Sequence, residues 1–179
     1  MDRIQLLNSI PAETIYEDGE DGDIEGWHIY DNDPSGTAVT NIFDSDRLSR
    51  VIEFKGSGTE NGYRYSNDIE EPWAKWDNRE QFVIQWSMKY SEQFVVYVEI
   101  DTSDGRRFLY YKPDDADYLG DKDVHHGLGS DAINGQWHTF TRDLNADLTD
   151  AQPDVSIFAV NGFLIRGSGR VDDIHLDSK

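Results

Sequence analysis

The chain has 179 residues, with 16 Lys and Arg against 36 Asp and Glu, so it carries a formal charge of −20. That charge excludes nucleic acid and anionic lipid as default partners, and the absence of cysteine excludes disulfides, thiolate metal sites and thiol nucleophiles. Aromatic residues nonetheless make up 12 % of the chain (5 Trp, 9 Tyr and 8 Phe), enough large side chains to build a core where acidity alone would point to disorder.

In chain order, the first dozen residues read as a flexible arm and residues 13–179 as one domain. Strands are expected at 13–17, 26–31, 37–43, 49–55 and 61–66, each bounded by Gly, Asn, Asp or Pro turn signals. The clearest alternation follows. In 81–91, Phe82, Ile84, Trp86, Met88 and Tyr90 share one face, and in 94–101 Phe94, Val96, Val98 and Ile100 do the same. Further strands are expected at 106–112, 136–142, 155–160, 162–166 and 170–176. One short helix, 143–151, has Leu144 and Leu148 four apart and is closed by Pro153. Many short strands with almost no helix predict an all-β chain, an antiparallel β-sandwich of the jelly-roll type. No run approaches the roughly 18 apolar residues of a membrane span, so no membrane insertion is expected. No basic-then-apolar leader opens the chain either.

Register follows from matching apolar faces. A three-residue loop at 91–93 pairs Tyr90 with Phe94 and Trp86 with Val98, making 81–91 and 94–101 hairpin neighbours. A two-residue turn at Asp104-Gly105 sets Ile100 opposite Leu109, Glu99 opposite Tyr110 and Tyr97 opposite Lys112. The opposite face then gathers Gln85, Lys89, Tyr97, Glu99, Tyr110 and Lys112 into one patch. Aromatic rings beside an amide, a carboxylate and two ammonium groups suit a hydroxyl-rich ligand, because the rings cover sugar C–H faces and the polar groups bond hydroxyls. A solvated sheet face is the plainer reading. Trp73 and Trp76, in a Pro-flanked loop, are either further sugar anchors or plugs at the end of the sandwich. Trp27, Trp86 and Trp137 are expected in the core.

Residues 17–25 (Glu17-Asp18-Gly19-Glu20-Asp21-Gly22-Asp23-Ile24-Glu25) place six carboxylates in nine residues. They repel one another unless a cation sits among them, and Ca²⁺ takes six to eight hard oxygen ligands. Glu17, Asp21 and Asp23 are the candidates here. The spacing is not that of an EF-hand. The five histidines read as polar loop or strand residues.

The opening Glu17-Asp18-Gly19 followed by Gly26-Trp27, with the closing strand Val171-Asp172-Asp173-Ile174-His175-Leu176, resembles the Ca²⁺-containing jelly-roll carbohydrate-binding modules of the galactose-binding-like superfamily, as found in large extracellular marine bacterial proteins. The resemblance implies that the first and last strands are neighbours and share a structural Ca²⁺, with Glu17 and Asp172 as ligands and Asp173 as the alternative. It also implies an extracellular, non-catalytic module that binds a polysaccharide or other glycan, as part of a longer secreted protein. A Ca²⁺-dependent adhesin or peptide-binding module is the alternative, and a polysaccharide lyase or glycosidase the third. The glycosidase motif is missing: at residues 20–25 the acid spacing is wrong. The charge of −20 favours a monomer.

Overall fold

The computed structural model describes residues 11–178, so most of the expected N-terminal arm lies outside the described residues. The strands are β1 (Glu13–Glu17), β2 (Trp27–Asp31), β3 (Ala38–Asp44), β4 (Ser49–Lys55), β5 (Gly62–Tyr65), β6 (Val83–Lys89), β7 (Val95–Thr102), β8 (Gly105–Lys112), β9 (Tyr118–Leu119), β10 (Val124–Gly127), β11 (Trp137–Asp143), β12 (Ile157–Arg166) and β13 (Gly169–Asp177). They form two sheets. The first runs β11-β6-β13-β4-β3, with β1 also paired to β13, and the second runs β2-β5-β12-β7-β8-β10-β9. Pairing is antiparallel except between β8 and β10.

Alternation puts one face of each strand into the space between the sheets. Trp86, Met88, Val96, Val98, Ile100, Leu109, Tyr111, Phe163, Ile165, Ile174 and Leu176 form the centre of the core. The helix α1 (Leu144–Ala151) lies where the alternation breaks. Asp143 caps it, accepting hydrogen bonds from the N–H groups of Asn145 and Ala146, and Leu144 and Leu148 bury one side.

Two expectations about register are corrected. β6 and β7 are not hairpin neighbours: β6 pairs with β11 and β13 in the first sheet, and β7 pairs with β8 and β12 in the second. The connection at 90–94 crosses from one sheet to the other. A crossing also points both apolar faces at the same core, so face-matching alone cannot separate it from a hairpin. In the β7–β8 hairpin, Thr102 pairs with Gly105, so the turn residues are Ser103 and Asp104 and the register differs from expectation by two. A shift of two preserves every face. It sets Tyr97 opposite Tyr110 and Glu99 opposite Phe108.

The expected break at Asn161 is absent. Residues 157–166 form one bulged strand, β12, and the short strands β9 and β10 carried no sequence signal strong enough to be expected. β1 and β13 are neighbours, as the resemblance implied. Trp27 and Trp86 lie in the core, whereas Trp137 faces outward from β11, half-buried beneath the Arg47 guanidinium at 4.7 Å. Its alternation partner Phe140 packs inward instead.

Candidate functional site

The outer face of the second sheet brings together Tyr97, Tyr110, Lys112 and Trp73. One row across it reads His28, Arg64, Leu164, Tyr97, Tyr110, His125 and Tyr118 on successive strands. The aromatic part is continuous. Tyr97 meets Tyr110 edge-on at 4.8 Å, Tyr110 stacks on His125 at 4.3 Å, and Tyr118 meets His125 at 5.8 Å. Burial raises the phenol pKa values of Tyr97 and Tyr110, so both are neutral donors at physiological pH. Lys112 has no carboxylate within 4.0 Å among the described residues.

The other end of this face is built around two glycines. A Cβ on Gly62 would lie 2.3 Å from the Tyr30 ring, and one on Gly162 would lie 2.7 Å from Arg64 Nη2. Their absence lets Tyr30 and the Arg64 guanidinium lie flat against the backbone. Arg64 Nη1 is 2.6 Å from Glu99 Oε2, and both side chains are buried, so Glu99 is not free to bond a ligand. Trp73 covers the pair, its ring 4.9 Å from the guanidinium, and is itself 48 % exposed with Tyr30 beside it at 5.7 Å. Its loop is tied down by Trp76 N–H donating to the Asn161 carbonyl and by paired backbone bonds between Asn78 and Val160. Trp76 is a plug: it is buried and stacks on Tyr16 at 3.7 Å.

Gln85 and Lys89 lie on the outer face of the other sheet, and the reason is the crossing after β6. Gln85 accepts a hydrogen bond from Thr141, and Lys89 pairs with Asp46. Arg170 bridges Asp44 at 2.6 Å and Glu53 at 3.0 Å, while Arg47 holds Asp172 and Asp173. Burial alone would raise the Asp44 pKa, but Arg170 and the N–H groups of Asp46 and Arg47 bring it down to about 2. This face is a closed network of ion pairs. Beside it, Lys89, Tyr90, Glu53 and Arg170 line a surface recess of 540 Å³.

The acidic segment is arranged differently from a ready cation cage. Glu17 accepts from Gly19 N–H and Trp27 Nε1–H, both at 2.7 Å, and burial pushes its pKa up to about 7. Asp21 and Asp23 are exposed and each bonds the backbone two residues on. Asp172 keeps Oδ1 buried without a hydrogen bond, and burial raises its pKa to about 6 against the pull of Arg47. That orphaned oxygen fits a hard cation. The Arg47 guanidinium, already on the same carboxylate, does not. Among the described residues, two other groups have ligand atoms close enough to hold a metal ion: Glu13 with His175 and Asp177, and His126 with Asp147 and Asp150. In the second, Asp147 is already taken by Arg142 and Tyr111.

Sequence reasoning missed Tyr30, Arg64, His125, Tyr118 and Arg166. The last stacks over Tyr30 at 5.4 Å and pairs with Asp31 at 2.6 Å. His125 and Tyr118 were findable only by recognising the parallel β8–β10 pair.

Residues 48–154, more than half of the chain, match the family model for the D-glucuronyl C5-epimerase β-sandwich domain. No curated protein matches the sequence. Among solved structures, the chain is similar to the family 11 carbohydrate-binding module from Clostridium thermocellum in complex with a β-1,3-1,4-mixed-linked tetrasaccharide, with 15 % identity over 94 % of this chain and 97 % of that one and a TM-score of 0.54. The family 11 module of the cellulosomal cellulase Lic26A-Cel5E of the same organism gives 16 % identity, 96 % and 97 % coverage, and a TM-score of 0.53. At this identity the likeness is one of fold, and it identifies the two-sheet architecture as the jelly-roll sandwich of carbohydrate-binding modules.

Proposed function

The chain belongs to the D-glucuronyl C5-epimerase β-sandwich domain family, and on that premise we propose that it is a non-catalytic, extracellular carbohydrate-binding domain that holds a uronate-containing polysaccharide on the outer face of the second sheet. The observation that carries this reading is the aromatic set on this face, made of the Trp73–Tyr30 pair at one end and the continuous run Tyr97, Tyr110, His125 and Tyr118 at the other. Its last four members sit on four successive strands, so they span three strand spacings, roughly 14 Å. That is long enough for a short oligosaccharide rather than one sugar.

The roles differ along the band. Tyr110 and His125 stack on each other nearly parallel, at 5°, so they offer edges and polar tips. Trp73 has one face on Arg64 and is half exposed, which supports it as the flat surface for a sugar ring. Lys112, beside His125, is the cation available to a uronate carboxylate. The net charge of −20 opposes a polyanion at long range, but salt screens that repulsion beyond about 8 Å at physiological ionic strength and leaves a direct Lys112 contact in place.

Residues 13–179 act in this reading as one monomeric domain of a longer secreted protein. A structural Ca²⁺ belongs to it as well, supported by the orphaned Asp172 oxygen and by six carboxylates within residues 17–25. Binding there requires Arg47 to leave Asp172.

Calorimetric titration with a glucuronate-containing polysaccharide and with a neutral β-glucan tests the proposal. The expected result is binding of the uronate polymer that is lost in Tyr97→Ala and weakened several-fold in Lys112→Ala, with melting temperatures nearly unchanged. Binding of neither polymer, or equal binding by the Tyr97→Ala protein, overturns it. The same melts with EDTA or millimolar Ca²⁺ test the cation, whose binding should raise the melting temperature and do so more strongly in Arg47→Ala.

A further inference from the structure

Glu13 and Asp177 are register partners on β1 and β13, and His175 stands two residues before Asp177 on the same face. Ile174 and Leu176 alternate with them into the core, so the three side chains point outward together. His175 Nε2 lies 3.4 Å from Glu13 Oε1 and 3.4 Å from Asp177 Oδ2, and one ligand atom from each residue falls within 4.8 Å of the others. That separation is too long for an ordinary N–H···O hydrogen bond of about 2.7–3.2 Å. The His175 side chain is nonetheless only 10 % exposed, and it is aimed between two carboxylates. Among the described residues, neither carboxylate has a lysine or arginine within 4.0 Å.

We propose that Glu13, His175 and Asp177 form a site for a divalent transition-metal ion of the Zn²⁺ class. A tetrahedral ion with bonds of about 2.0–2.1 Å holds its ligand atoms roughly 3.3–3.4 Å apart, which is the spacing of His175 Nε2 from both carboxylates. One imidazole and two carboxylate oxygens make three protein ligands. The exposed side of the cluster, where Glu13 is 46 % accessible, leaves the fourth position to water. An ammonium or guanidinium would neutralise two adjacent carboxylates equally well, but none is present among the described residues. The consequence is mechanical. Among the described residues β1 pairs with β13 alone, so a metal here clips the first described strand to the last and closes nearly all of the described chain into one loop. This site uses none of the carboxylates assigned to Ca²⁺ and stands independently of the polysaccharide reading.

The test is titration of chelator-stripped protein with Zn²⁺, by calorimetry and by thermal melting, alongside His175→Gln and Glu13→Gln. So acidic a chain attracts cations diffusely, and His175→Gln preserves all its carboxylates, so the histidine separates a built site from that background. The expected result is one ion per chain, an affinity at least tenfold weaker in His175→Gln, a Zn²⁺-induced rise in melting temperature confined to wild type, and Co²⁺ absorption bands of tetrahedral type. Equal Zn²⁺ affinity and equal melting shifts in wild type and His175→Gln overturn the proposal. Should His175→Gln fail to fold, the same comparison is read from Glu13→Gln, whose side chain reaches the cluster from the partly exposed end of β1.

Discussion

Arg64 and Glu99 form an ion pair of 2.6 Å in which the arginine is wholly buried and the glutamate 2 % exposed, although both project from the outer face of a sheet. Solvent is kept from them by Trp73 above, and room is made for them by Gly162 below. The pair is the floor of the proposed binding face.

Breaking the pair leaves one charge buried and unpaired. Glu99→Gln should therefore destabilise the domain by about 3–5 kcal/mol, read from urea unfolding. Replacing both partners, as in Arg64→Met with Glu99→Leu, should recover most of that loss, because apolar groups of similar volume need no counter-charge. A double variant no more stable than Glu99→Gln would show that the site requires the ions themselves.

Trp73 separates binding from stability. Trp73→Ala removes one cation–π contact and the cover over Arg64, with an expected cost of about 1–2 kcal/mol, while the affinity for polysaccharide should fall at least tenfold. Calorimetry and chemical denaturation on the same preparation check both. Unchanged affinity would move the site away from this end of the band.

Gly162 is required by space rather than by backbone angle. A methyl group there would stand 2.7 Å from Arg64 Nη2 and 2.9 Å from Cζ, so Gly162→Ala should push the guanidinium off Glu99 and cost roughly 1–3 kcal/mol. Combining it with Arg64→Ala should remove the clash, making the double variant less unstable than the two single losses added together.

The pH dependence has two limbs of opposite sign. Asp44 falls from its ordinary 3.8 to about 2 in the folded state, so its contribution is present above pH 3.8 and is lost as pH falls through 2. That limb is worth on the order of 2 kcal/mol. Glu17 rises from 4.5 to about 7, so its contribution is present below pH 4.5 and is lost as pH rises through 7. In melts without added metal, Asp44→Asn should flatten the acid limb and Glu17→Gln the limb between pH 5 and 7. Unaltered limbs in these variants would assign the titrations elsewhere.

The sequence by itself determined the buried side of most strands, β11 with its outward Trp137 being the exception, and where the helix starts and stops; that the acidic opening and the closing strand lie together came from the family resemblance. Period-two alternation and capping chemistry are local, and they survive both errors of register. The β7–β8 hairpin placed Tyr97 and Tyr110 on one face whichever way its turn was drawn, because a shift of two residues changes no face. Only the tertiary structure decided which strands are neighbours. It sent Gln85 and Lys89 to the opposite sheet, set His125 beside Tyr110 through a parallel pair, and brought Trp73 and Arg64 together over Gly162. The physical reason is that burial rewards a face turned toward the core and is indifferent to which strand delivers it, whereas the neighbour is chosen by how the connections cross and by backbone pairing between residues far apart in the chain.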